Sequence, residues 1–68
     1  MSNYKRMLSM KDRYLVIVYE EGYPVSTDVY ASYWEAVNQT MNAESVGLNW
    51  RMFEFNHLKG DYDLLTEG

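Results

Sequence analysis

The residues with the widest chemical reach in this chain are His57, the adjacent pair Glu20 and Glu21, and the two aspartates, Asp61 and Asp63, that flank Tyr62. His57 is the single histidine of the sequence and cysteine is absent, so a transition-metal site would have one nitrogen ligand, no thiolates and otherwise only hard carboxylates. No nucleophile partner for the histidine can be identified either, which makes a surface residue the simpler reading. Asp61 and Asp63 follow Gly60 in a spacing that faintly suggests a calcium loop, but the later oxygen ligands of that motif are missing and a polar turn explains them better. Glu20 and Glu21 could act as acid and base only if both faced one substrate, and neighbouring strand positions point to opposite faces. With no glycine-rich phosphate loop present, the expectation is a protein that is not an enzyme and carries no cofactor and no metal.

Aromatic chemistry is more plentiful. Seven tyrosines, two tryptophans and two phenylalanines among 68 residues are too many for a disordered chain. Tyr14, Tyr19, Trp50 and Phe53 could form a base-stacking platform of the kind found on RNA-binding sheets. Such platforms sit beside basic residues, and charge here is distributed the other way. Residues 1–13 carry +3, whereas the remainder holds nine acids against Arg51 and Lys59, giving −7 within a net charge of −4. That acidic body weighs against nucleic acid as a partner. The acids are also too scattered to imitate a phosphate backbone, and an ordinary solvated surface accounts for them.

The elements that must position these side chains follow from periodicity. A chain of this length makes one domain in which every large apolar residue must be used. Tyr14 to Tyr19 reads as a strand covered on both faces, Gly22 as a turn, and Val25 to Tyr30 as the returning arm of a hairpin, with Pro24 tolerated at its start. Ser32 is placed to cap a helix starting at Tyr33, with Glu35 completing a capping box. At about 100° per residue Trp34, Val37 and Met41 share one stripe, which predicts that Trp34 faces the sheet with Tyr33 at its margin. Val46-Gly47 stops the helix, and Leu48 to Phe55 forms a third strand. Phe53 and Phe55 fall out of phase with Leu48, Trp50 and Met52, so this strand either contains a bulge or is covered on both sides.

The expected fold is α+β: a small, antiparallel-dominated three-stranded sheet in ββαβ order, with one helix packed on one face and the first strand in the middle. Its organisation is a basic, helix-prone segment over residues 1–12, a ββαβ domain over 13–58, and a C-terminal turn and tail over 59–68, for which a short return strand around Lys59-Gly60-Asp61 is the alternative. The helical spacing of Tyr4, Met7, Leu8 and Lys11 is what suggests the N-terminal helix. No apolar run is long enough to span a bilayer, and the lack of cysteine fits a reducing compartment, so a cytoplasmic location is expected.

The stretch VYASYWEAV followed by GLNWRMFEF resembles, over about half the chain, the layout of small tailed-phage proteins that bind host enzymes, including the phage inhibitor of bacterial RNA polymerase. The resemblance implies a short protein that occludes a host factor in the bacterial cytoplasm rather than a catalyst. In that inhibitor arginines on the strand after the helix matter for binding. Here Arg51 alone occupies the comparable strand, and Met52-Phe-Glu-Phe55 departs from a basic pattern, so the target does not carry over.

One helix cannot cover both faces of the first strand, where Tyr14, Val16 and Val18 point one way and Leu15, Ile17 and Tyr19 the other. Either the N-terminal segment lies across the second face as a short amphipathic helix or another molecule covers it; the second is the favoured expectation, a protein partner with a homodimer in its absence. The candidate partner-binding residues are Tyr14, Val16, Val18, Tyr19, Trp50, Arg51, Phe53 and Phe55. An RNA-binding aromatic sheet and a self-assembling regulatory or structural protein are the alternatives.

Overall fold

The structure is a computed structural model and describes residues 12–68. The helix expected over residues 1–12 lies, except for Asp12, outside the described residues. Four strands and one helix follow in the order β1 (Tyr14–Glu20), β2 (Tyr23–Tyr30), α1 (Tyr33–Ser45), β3 (Asn49–Asn56) and β4 (Asp61–Glu67). They form a single sheet of order β2-β1-β3-β4 in which every neighbouring pair is antiparallel.

The hairpin turns at Glu21-Gly22, with φ of 50° and 87°. Two consecutive residues at positive φ match the right-handed twist of the strands they join, and glycine adopts that conformation without a Cβ penalty. Beyond the turn an extra residue, Val25, lies in β2 where the register shifts opposite Val18 and Tyr19. Pro24 sits on this edge strand, where its missing amide donor costs no ladder bond on the solvent side.

Ser32 caps α1 as expected, but its Oγ accepts from the Trp34 amide at 3.2 Å rather than from the Glu35 amide of a capping box. The far end is a Schellman closure. The Leu48 amide donates to the Ala43 carbonyl and the Gly47 amide to the Glu44 carbonyl, with Gly47 left-handed at φ 79°.

The helix presents a different stripe to the sheet from the one expected. Ala36, Thr40 and Ala43 are its buried residues, whereas Trp34 is 71% exposed and Met41 59%. Both sets recur at helical spacing, and packing selects the small one because alanine lets the helix backbone lie close to the strands. Trp34 instead meets the Tyr33 ring edge-on at 5.5 Å, and Tyr33 in turn meets Tyr14 at 5.7 Å. Thr40 satisfies its hydroxyl locally by donating to the Val37 carbonyl at 2.7 Å. Beneath the helix the core consists of Tyr14, Val16 and Val18 from β1 and Met52 from β3, with Tyr30, Val37, Leu48 and Trp50 packed around it.

The sheet has four strands, not three, because residues 61–67 form β4 on the outer edge of β3 instead of a tail. The turn that reverses the chain is built by Asn56, whose Oδ1 accepts from the Leu58 and Lys59 amides and whose carbonyl accepts from Gly60. Pairing of β3 with β1 runs unbroken from Asn49 to Glu54, so Phe53 and Phe55 alternate regularly onto the face opposite the helix. The irregularity is in β4, where Leu65 is the extra residue between the partners of Met52 and Phe53. Among the described residues no helix is long and apolar enough to cross a membrane.

Candidate partner-binding face

The two faces of this sheet differ in both cover and charge. On the helix side, Tyr14, Val16, Val18 and Met52 are closed off by α1. On the other side, β1 contributes Leu15, Ile17 and Tyr19, and β3 contributes Phe53 and Phe55, all half-buried between neighbouring strands. β4 adds Tyr62 opposite Phe55 and Leu64 opposite Phe53, and β2 adds Val29 opposite Leu15. Leu64 is 51% exposed and Val29 45%. No element among the described residues lies over this open face.

Its rings are held by cross-strand contacts. Phe55 meets Tyr62 edge-on at 5.3 Å, and His57 packs against Phe55 from the turn at 5.5 Å. The Tyr62 hydroxyl donates to the Asp12 carbonyl at 2.6 Å, tying the edge strand to the chain preceding β1. Partial burial raises the Tyr62 phenol above its ordinary value, and nearby Asp12 adds to the shift. Tyr30 is raised for the same first reason, with Asp28 and Glu35 reinforcing it.

Charge is almost absent from the open face. Arg51 and Glu67 stand opposite each other across β3 and β4 and form an ion pair at 3.1 Å, and the Arg51 guanidinium also lies 5.2 Å from the centre of the Tyr19 ring. Of the other nine carboxylates of residues 12–68, Asp12 precedes β1 beside Tyr62 at one end of this face, and the remaining eight belong to turns, to the helix, or to strand positions in register with the helix side, such as Asp28 opposite Val16 and Glu54 opposite Tyr14. Each of the three cations in this span is already paired: Arg13 with Glu54, Arg51 with Glu67, and Lys59 with Asp63.

The structure divides the eight residues expected to meet a partner. Tyr19, Arg51, Phe53 and Phe55 come together on the open face. Tyr14, Val16 and Val18 are core and offer no surface to a partner. Trp50 also lies on the helix side, where its Nε1 donates to Glu44 Oε2 at 3.0 Å and its ring packs against Gly68 so closely that a Cβ there would approach within 2.7 Å. Leu15, Ile17, Tyr62 and Leu64 complete the open face and were not among the expected residues. The signal for Leu15 and Ile17 was their alternation with Val16 and Val18, which does not reveal which set the helix takes.

The groups considered for chemistry are dispersed or engaged. Glu20 and Glu21 sit at the hairpin turn, far along the sheet from His57 at the β3–β4 turn. Asp63 accepts from Asn56 Nδ2 at 2.8 Å and from the Lys59 ammonium, and these donors, Lys59 first, lower its carboxyl below the usual value. Lys59 is raised correspondingly by its bond to Asp63. Asp61 accepts from the Tyr62 amide at 2.8 Å. Among the described residues no three histidine, aspartate or glutamate side chains group as metal ligands. Near the other end of the face, Tyr19, Asn49, Trp50 and Arg51 border a shallow depression of about 470 Å³, an open feature rather than an enclosed site. Compared with known protein families, curated proteins and solved structures, the chain matches none of them.

Proposed function

We propose that this protein is a non-enzymatic protein-interaction module that binds through the open face of its sheet. The observation that carries the reading is the segregation just described: a continuous apolar surface on β1, β3 and β4 that carboxylates meet only at its margins, at Glu67, which is neutralised by Arg51, and at Asp12 beside Tyr62. Exposed apolar surface that spans several strands and is rimmed by polar residues is characteristic of protein contacts. Aromatic side chains with Arg51 at the margin supply the residue types that dominate binding energy at such contacts. Occlusion of a host factor, the role implied by the resemblance to phage proteins, would use this same surface. Among residues 12–68 all three cations are paired, which weighs against a phosphate backbone as the ligand of this face.

The test is affinity capture from bacterial lysate with the full chain and with Phe53→Glu. Recovery of one stoichiometric protein by the parent and its loss with the variant supports the reading. Recovery that is abolished by nuclease would put nucleic acid on the face instead, and equal recovery by both chains would move binding elsewhere.

A further inference from the structure

Resting on that reading, we infer that the resident occupant of the open face is a second copy of this chain, packed sheet to sheet in a symmetric dimer from which a target must displace it. Three features select this occupant. Residues 12–68 carry ten carboxylates against three cations, so two such bodies repel one another at most approaches. The open face is where they can meet with the fewest carboxylates confronted, because Glu67 is paired with Arg51 and Asp12 lies only at its end, beside Tyr62. The edges are less suited. β4 bears Asp61, Asp63 and Glu67, which an antiparallel copy would set against like charges, and β2 is interrupted by Pro24 and its bulge. The competing occupant within the chain is residues 1–11: Lys5, Arg6 and Lys11 are complementary to the acidic helix side, but Tyr4, Met7 and Leu8 recur at helical spacing and would suit the apolar sheet, so the experiment below includes it as an outcome.

The dimensions fit a reversible contact. At about 4.8 Å between strands and about 3.3 Å per residue, four strands of seven or eight residues present roughly 19 by 25 Å. Two such faces exclude roughly 950 Å² before corrugation, below the roughly 1,200 Å² at which standard stable interfaces begin. Aligned sheets packing about 10 Å apart suit an apolar surface of this kind, and a dimer of that area dissociates on dilution.

Sedimentation equilibrium of the full chain from micromolar to millimolar concentration tests this, alongside Phe53→Glu and, separately, Leu64→Glu. Leu64 is half-exposed, so its variant should fold even if Phe53→Glu does not. The expected result is a monomer–dimer equilibrium whose dissociation constant rises at least about tenfold in the variants, with helical circular dichroism unchanged. A dimer indifferent to both substitutions overturns the inference, because the copies then meet through another surface, while the binding role of the face is still decided by the capture experiment. If the chain is monomeric throughout, carbene footprinting separates two cases. Strong labelling of Ile17 and Phe53 overturns the second copy but leaves the face open to another protein. Protection of both residues shows the face closed by the chain's own residues 1–11 and overturns both.

Discussion

Trp34→Ala is expected to be mild, although tryptophan is the largest side chain on the helix. With 71% of the residue exposed, the area withdrawn from water is about 70 Å² of a side chain that buries at most about 250 Å². At about 25 cal/mol per Å² that is worth about 1.8 kcal/mol, and a compact denatured state reduces it by a tenth to two-fifths. The edge contact with Tyr33 adds about half a kcal/mol, which the better helix propensity of alanine offsets, leaving a loss of about 1 kcal/mol. Ala36 is fully buried where α1 meets the sheet. Ala36→Leu must therefore overpack and should cost about 1–3 kcal/mol, while Met52→Ala in the same core should cost about 2–5 kcal/mol. Thermal melts followed by circular dichroism resolve these values, since 1 kcal/mol moves Tm by about 4–8 °C in a domain of this size. A Trp34→Ala loss as large as that of Met52→Ala, together with a neutral Ala36→Leu, would falsify the helix orientation and the assignment of faces built on it.

Other consequences of the packing are open to similar measurements. Gly68→Ala places a methyl group against the Trp50 indole and should displace the ring from Glu44, costing about 1–3 kcal/mol and shifting tryptophan emission; an unchanged spectrum in a Trp34→Phe background would argue against that contact. The raised phenols of Tyr30 and Tyr62 are favoured as neutral groups in the fold, so their contribution is complete below pH about 10 and is lost as pH rises through their folded values. Tyr62→Phe should cost about 0.5–1.5 kcal/mol at neutral pH through the Asp12 hydrogen bond and flatten the alkaline limb of a stability–pH curve, and an unaltered limb would remove Tyr62 from it. For Asp63 the sign is opposite. Its lowered value means stability that is present above the ordinary carboxylate range and is lost as pH falls through the folded value, so Asp63→Asn should flatten the acid limb.

Much of the backbone was legible because it depends on short-range chemistry. The unalternated run Tyr14 to Tyr19 marked the central strand, Ser32 the helix start, and Gly47 the left-handed stop. Which side of α1 meets the sheet was not legible. Trp34-Val37-Met41 and Ala36-Thr40-Ala43 are both helical stripes, and hydrophobicity ranks the first higher although close approach requires the second. β4 was hidden because Asp61, Asp63 and Glu67 dilute its apolar content and the bulge at Leu65 breaks its period of two. The same ambiguity ran through the site. Alternation separates Tyr14, Val16 and Val18 from Leu15, Ile17 and Tyr19, but only the three-dimensional arrangement shows that the first set is core. The exclusion of carboxylates from the open face depends on the register of four strands, which no local stretch encodes.

Whether the open face meets another protein molecule is addressed directly by a photo-crosslinker at its centre. With Ile17→p-benzoylphenylalanine in the full chain and the same substitution at Trp34 as a control, irradiation of the purified protein should yield intermolecular adducts from position 17 whose fragments map to β1, β3 or β4 of a second copy. Adducts confined to residues 1–11 of the same chain would contradict a binding role for this face, because it would then be interior to the monomer and closed to any partner.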